Sequence, residues 1–127
     1  MTPEVKVAIE EIKATFPDQR VDVEDEPQGG AYVVVHDLSI GTTYAPSSTW
    51  VGFVVSYQYP YADVYPHFID GEVQRVDKQG LGGGFSNRAT WQNRSAVQVS
   101  RRSNRWNPAV DTAATKLIKV LEWIRIR

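Results

Sequence analysis

A chain of 127 residues that is 42% hydrophobic and 23% charged can bury a sizeable core, and we expect residues 1–127 to form a single domain. Its formal net charge of −1 gives no whole-molecule attraction to nucleic acid or to an anionic membrane. Because there is no cysteine, disulfides, thiolate zinc sites and thiol nucleophiles are excluded.

The amino-terminal residues predict an amphipathic helix. Thr2, Pro3 and Glu4 are typical of a helix start. Apolar residues then recur at three- and four-residue steps, which is the pattern of one buried helix face. These residues are Val5, Ala8, Ile9 and Ile12. We therefore expect the first helix over residues 3–14.

Runs of β-branched residues predict two strands after this helix. Residues 21–23 form a short run, and residues 31–36 form a longer one after an acidic stretch and a Pro-Gln-Gly-Gly turn. Residues 37–49 contain glycine, proline and several hydroxyl side chains, which favours a loop. Leu38 and Ile40 could nevertheless extend the second strand.

The clearest strand covers residues 50–57 and is followed by a segment rich in tyrosine and proline. Period-two alternation places four of its side chains on one face. They are Val51, Phe53, Val55 and Tyr57. Residues 59–69 contain Pro60 and Pro66, and each proline lacks a backbone donor. We therefore expect neither a regular helix nor a central strand there.

Residues 70–95 are expected to be largely irregular. The glycine cluster at residues 80–84 lacks the Lys-Ser/Thr pair of a phosphate loop and does not lie between a strand and a helix, as a dinucleotide site requires. It therefore predicts a mobile loop, and no cofactor is expected. No acidic residue occurs between Lys78 and Val110, where arginines are frequent, so one surface of the domain is expected to be positive.

The carboxy-terminal segment predicts a second helix. Asn107 is a suitable N-cap, and Pro108 suits the first helical position because it has no N–H to leave unpaired. Lys116 and Lys119 are expected away from the apolar stripe of this helix. The stripe consists of Val110, Ala113, Ala114, Leu117, Val120, Leu121 and Ile124.

Two of these segments resemble signatures of the ubiquitin-conjugating (E2) family. Trp106-Asn107-Pro108-Ala109 is similar to the family's tryptophan and "SPA" turn, and residues 59–69 are similar to its "YPFxPPxVxF" segment. The order of elements over residues 3–124 also matches, and the chain looks closest to divergent bacterial E2-like proteins. The resemblance implies an α+β fold with an N-terminal helix, an antiparallel meander of about four strands, a long irregular segment and a C-terminal helix packed on one sheet face.

The resemblance also indicates where an acyl group would be carried. In the family the catalytic cysteine precedes the tryptophan by about eight residues, which corresponds to Gln98 here. A turn two residues shorter would place Ser100 there, and Ser95 is a further alternative. Glutamine cannot be acylated in this way, whereas serine can form an oxyester if a base or a polarised acyl donor assists it. The family's "HPN" motif is not found, so its asparagine cannot be carried over.

The residues around Ser100 allow a functional and a purely structural interpretation. Arg101 and Arg102 would stabilise negative charge that develops on an acyl group at Ser100. Alternation predicts that Val97 and Val99 point into the core, so Ser100 points outward. In the structural interpretation Ser100 is only an exposed neighbour of two core valines.

By resemblance, the chain is expected to receive or position a ubiquitin-like modifier that an E1-like enzyme has activated. The principal alternative is a non-catalytic E2-like scaffold that binds a ubiquitin-like protein or the E1-like enzyme. Both partners are thus implied by the family. E2 proteins mostly meet their E1 through the first helix, so Lys6, Glu10 and Lys13 on its solvent side are the candidate docking residues.

Other functional classes have weaker sequence support. The arginine-rich run around Trp91 would suit the binding of single-stranded nucleic acid, because protein sites for such strands combine aromatic stacking with a positive groove. His36 and His67 are 31 residues apart with no cysteine or paired carboxylate near either, so no metal site is expected. The first residues do not resemble a signal peptide and no apolar run approaches membrane-spanning length, so a cytoplasmic protein without membrane association is expected.

Overall fold

Helix α1 spans Pro3–Thr15 and helix α2 spans Ala113–Arg125. The computed structural model describes residues 1–127. Thr2 caps α1, since its Oγ1 accepts a hydrogen bond from the Val5 backbone N–H at 3.1 Å, and the predicted first helix is confirmed. Both helices bury their apolar sides in one core with the inner face of a sheet. Neither combines the length and apolar character needed to cross a membrane.

Eight strands form two antiparallel sheets. The six-stranded sheet has the order β1-β2-β4-β5-β8-β7, and β3 pairs with β6 in a small second sheet. The α+β class expected from the sequence is therefore present. The strands are β1 Val21–Asp25, β2 Ala31–Ser39, β3 Tyr44–Ala45, β4 Ser48–Val55, β5 His67–Asp70, β6 Gln74–Arg75, β7 Phe85–Trp91 and β8 Arg94–Val99.

The middle of the chain is more regular than the sequence predicts. The second half of the proline-rich segment enters β5, which lies between β4 and β8 in the sheet, so the expectation of no central strand there was wrong. Both prolines precede β5, and no strand donor is lost. Residues 70–95, expected to be irregular, contain β6, β7 and the first two residues of β8. This regularity arises because β7 and β8 pair with each other and β8 also pairs with β5. Tyr57 lies beyond the end of β4 and is 48% exposed, not on its buried face.

Helix α2 begins five residues later than the sequence predicts. Residues 107–111 form a separate turn, in which the Asn107 side chain accepts from the Ala109 N–H at 3.0 Å and the Asp111 carboxylate accepts from the Asn107 N–H at 2.7 Å. Thr112 then adopts an extended conformation and caps α2 through a reciprocal capping box with Thr115. The prediction of Asn107 as the cap of this helix was therefore wrong, and Val110, assigned to its buried stripe, is 68% exposed.

The outer face of the six-stranded sheet carries an aromatic cluster. Trp91 packs between Trp50 and Phe68, with ring centroids 6.2 and 5.7 Å away. It lies over Gly52, where a Cβ atom would come within 2.4 Å of the indole, so only glycine fits at that position. Arg94 covers the cluster, with its guanidinium 5.6 Å from the Trp50 ring centroid.

Candidate functional site

The proline-rich segment and the turn before α2 contact each other directly, although they are far apart in the sequence. The Trp106 indole N–H donates to the Pro60 carbonyl at 2.6 Å. The Tyr59 ring lies 6.5 Å from the Trp106 ring, and its hydroxyl accepts from the Ala113 N–H at 3.1 Å. The hydrogen bond to Ala113 satisfies an otherwise unpaired donor at the start of α2. This junction fixes the carboxy-terminal end of the loop that follows β8.

Ser100 follows β8 directly and points away from the core. Val97 and Val99 are buried, as the alternation predicts, while Gln98 and Ser100 are half-buried on the other face. The Gln98 side-chain amide donates to the Ser100 Oγ at 3.1 Å, and the Ser100 N–H donates to the Gly84 carbonyl at 2.7 Å. No titratable side chain hydrogen-bonds to Ser100. Its hydroxyl is accessible and oriented, but no general base is in place.

The alternative positions differ from Ser100 in their surroundings. Ser95 is exposed at the beginning of β8, at the opposite end of this strand, and pairs with Thr90 of β7. Gln98 pairs with Phe68 of β5 and serves as the hydrogen-bond donor to Ser100. The structure therefore brings Gln98 and Ser100 together and places Ser95 apart from them.

Arg101 and Arg102 each lie against an aromatic ring beyond the end of β8. The Arg101 guanidinium is 4.9 Å from the Trp123 ring centroid, and the Arg102 guanidinium is 4.2 Å from that of Tyr65. These contacts direct both side chains toward a pocket beside α2 that Ser100 does not line. The pocket has a volume of about 280 Å³. The structure thus places the two arginines in the lining of one pocket, and Ser100 is not part of that lining.

A buried ionic network lies beneath this pocket. The Lys116 ammonium donates to both Asp63 carboxylate oxygens at 3.0 Å and to the Ser103 hydroxyl at 2.7 Å. Asp63 also accepts from the Ser103 N–H at 2.7 Å. Burial by itself would raise the pKa of Asp63, but the hydrogen bonds from Ser103 and Lys116 outweigh burial and hold this pKa below its usual range. The network ties the loop after β8 to α2 and to the proline-rich segment.

Lys116 and Trp123 are site residues that the sequence analysis did not identify. Lys116 was expected away from the apolar stripe, yet it is only 4% exposed, so that expectation was wrong. A signal was present, because Lys116 follows Ala113 by three residues and precedes Val120 by four, which is the spacing of the buried face. No comparable sequence pattern points to Asp63, its partner in the proline-rich segment.

The two histidines lie in different environments. The His36 ring is hydrogen-bonded to Asp22 at 2.8 Å near the surface, and this bond lowers the pKa of Asp22.

His67 is fully buried on β5, packs against Phe53 with ring centroids 5.1 Å apart, and has no hydrogen-bond partner on either ring nitrogen. Burial lowers the pKa of His67 to about 3, and the nearby charge of Lys116 acts in the same direction. No group of three histidine or carboxylate side chains is arranged to hold a metal ion.

The solvent side of α1 carries the three candidate docking residues. All three, Lys6, Glu10 and Lys13, are exposed, and the Lys13 Nζ lies 3.9 Å from the Glu10 Oε1. Val7 on the same side is 59% exposed and lines a groove with Pro60 and other residues of the junction. The charged side of α1 thus borders a groove that the proline-rich segment and the turn before α2 help to form.

The aromatic cluster of the outer sheet face gives little support to nucleic-acid stacking. Trp91 is only 7% exposed, and Trp50 and Phe68 stack on it. A base would have to displace these neighbours before it could stack on Trp91.

Comparison with known proteins does not assign the chain to a family. No protein-family model, no curated protein and no solved structure matches it. Its function is therefore inferred from the junction, the environment of Ser100 and the basic pocket beside α2.

Proposed function

We propose that this chain is an E2-like protein that receives or positions an E1-activated ubiquitin-like modifier. The observation that carries the proposal is the hydrogen bond between Trp106 and Pro60. It joins the two segments on which the E2 resemblance rests, 46 residues apart in the sequence. The antiparallel neighbours β1, β2, β4 and β5, with α1 before them and α2 after the junction, support the proposal. The strands β8 and β7, which extend this sheet to six strands, are not part of what the resemblance implies. The proposal rests on similarity of fold, which does not by itself specify a reaction.

In the catalytic form of the proposal, Ser100 accepts the modifier as an oxyester. The Ser100 Oγ attacks the carbonyl carbon of the modifier's C-terminal thioester on the E1-like enzyme. The new C–O bond forms, the C–S bond breaks, and the hydroxyl proton passes to the departing thiolate. The thioester is itself a reactive acyl donor, which lessens the need for a base on this chain. The half-buried hydroxyl and its Gln98 contact are compatible with this role.

A second candidate is a scaffold that holds the modifier or the E1-like enzyme without covalent transfer. The observation that favours it is the absence of any titratable side chain bonded to Ser100, because an unassisted serine is a weak nucleophile. The positions of Arg101 and Arg102 also favour this form, since both guanidinium groups lie on aromatic rings and neither is hydrogen-bonded to Ser100.

Ser100→Ala distinguishes the two forms. The protein is incubated with a cognate E1-like enzyme, its modifier and ATP, and adducts are separated by electrophoresis with and without hydroxylamine. If Ser100 is the acceptor, the wild type forms a base-labile adduct and Ser100→Ala lowers its rate by at least about tenfold. Ser95→Ala is the matched control and is expected to react like the wild type. An undiminished adduct in Ser100→Ala would exclude this serine, and a wild type without any adduct would favour the scaffold.

Reversal of the charges on α1 tests the docking surface. A variant with Lys6→Glu, Glu10→Lys and Lys13→Glu is expected to bind the E1-like enzyme at least about tenfold more weakly, mainly through slower association. Its thermal stability should be nearly unchanged, because all three side chains are exposed. Glu122→Lys on the exposed side of α2 is the control. Unchanged affinity of the triple variant, measured by biolayer interferometry, would contradict docking through this helix.

A further inference from the structure

The pocket beside α2 concentrates positive charge. It lies between the loop after β8 and one side of α2, and only Val120 and Trp123 of its ten lining residues are hydrophobic. Asp111 is the only carboxylate among the lining residues. Five of them are basic, namely Arg101, Arg102, Arg105, Lys116 and Lys119.

Part of this charge is already neutralised within the chain. Lys116 is paired with Asp63 at 3.0 Å, and Lys119 lies 3.7 Å from Asp111. None of the three arginines has a carboxylate within ion-pair distance. The five positive charges less the two carboxylates leave an excess of three positive charges around a pocket of about 280 Å³. The pocket is therefore strongly cationic although the net charge of the whole chain is −1.

Two of the three unpaired arginines, and the loop that carries them, are held by contacts within the chain. Arg101 and Arg102 are held on Trp123 and Tyr65, which restricts two otherwise flexible side chains. The loop between them and the junction is fixed by Ser103, whose N–H and hydroxyl both contact the Asp63 carboxylate. An anion that enters the pocket therefore does not have to order the loop around it.

We propose that this pocket binds the phosphate group of a small phosphorylated molecule. Guanidinium groups match phosphate oxygens with paired N–H donors, and an excess of three positive charges suits a dianion better than a single carboxylate. The polar lining and the volume suit a phosphate with a small polar substituent. A concave site confined to one loop and one helix differs from the extended basic track that single-stranded nucleic acid requires. The inference goes beyond the proposed function and does not depend on it.

Inorganic pyrophosphate is a suitable probe, because it presents phosphate oxygens alone. Isothermal titration of the full chain at constant ionic strength should show saturable binding to one site. Arg102→Gln and Arg105→Gln should each weaken it by at least about tenfold, as expected for loss of a charged hydrogen bond. Arg88→Gln, on the exposed part of β7, is the matched control and should bind like the wild type. Arg105 has no ion pair to lose, so that variant tests binding and not folding.

Three outcomes would overturn the proposal. The first is the absence of saturable binding at millimolar pyrophosphate. The second is equal affinity for pyrophosphate and sulfate, together with an unchanged pyrophosphate affinity in Arg105→Gln. The third is tighter binding of a single-stranded oligonucleotide that also depends on Arg102 and Arg105, which would assign the pocket to nucleic acid. Amide chemical-shift changes confined to residues 101–105 and 116–123 would support the proposal. Because no E1-like enzyme or modifier is present, failure here leaves the proposed function untouched.

Discussion

Asp63→Asn is expected to lower the free energy of unfolding by about 3 kcal/mol, because it leaves a buried ammonium without a counter-charge. The Lys116 side chain is only 5% exposed, and Asp63 supplies the only carboxylate that it contacts. Asparagine keeps the shape of Asp63 and can still accept the hydrogen bond from Ser103. The cost therefore arises chiefly from the lost charge and not from a cavity. Urea denaturation at pH 7 measures it.

A double-mutant cycle isolates this interaction. Lys116→Met removes the buried charge and keeps a long apolar side chain, so Asp63→Asn combined with Lys116→Met should be more stable than Asp63→Asn alone. We expect a coupling energy of about 2 kcal/mol between the two positions. Additive effects of the two substitutions would contradict a tightly coupled buried pair.

His67→Leu is expected to flatten the acid side of the stability profile. The folded state keeps His67 neutral, with its pKa lowered to about 3, whereas the unfolded chain takes up a proton near the ordinary value of 6.5. As the pH falls below 6.5 the unfolded state therefore binds more protons, and the wild type loses up to about 1.4 kcal/mol of stability per pH unit. Between pH 6.5 and 4.5 the proton uptake of His67 on unfolding lowers the free energy of unfolding by about 2 to 3 kcal/mol.

Leucine removes this proton linkage and suits the site, because neither ring nitrogen of His67 has a hydrogen-bond partner and Phe53 packs beside it. Urea denaturation of wild type and variant at pH 6.5, 5.5 and 4.5 measures the difference. Other carboxyl groups, including Asp63, titrate in both proteins and cancel in the comparison. Parallel profiles for the two proteins would show that His67 is protonated in the folded state or does not titrate on unfolding.

Local patterns in the sequence predicted those parts of the fold that local physics determines. Helix α1 follows from its Thr2 cap and apolar spacing, and the strand of Val51 and Phe53 follows from period-two alternation. The outward direction of Ser100 follows from the same alternation along β8. In each case the residues that determine the structure are near neighbours in the chain.

Structural features that depend on residues distant in the chain could not be predicted from local sequence patterns. Strand β5 begins directly after Pro66, because β4 and β8 provide backbone partners on both sides. The later start of α2 depends on the Thr112 capping box, which competes with the equally plausible cap at Asn107. Lys116 is buried only because Asp63, 53 residues earlier, lies opposite it. The basic pocket depends on that network, so its arginines could be seen in the sequence but their common site could not.

Binding to a modifier-loaded E1-like enzyme tests the proposed function most directly, because both its catalytic and its scaffold form require it. The immobilised chain is exposed to the cognate E1-like enzyme with and without the modifier bound as a thioester, and affinities are measured by biolayer interferometry. We predict saturable binding that is tighter for the loaded enzyme. Absence of binding to the loaded enzyme, to the empty enzyme and to the free modifier would contradict the proposal that this chain is an E2-like protein.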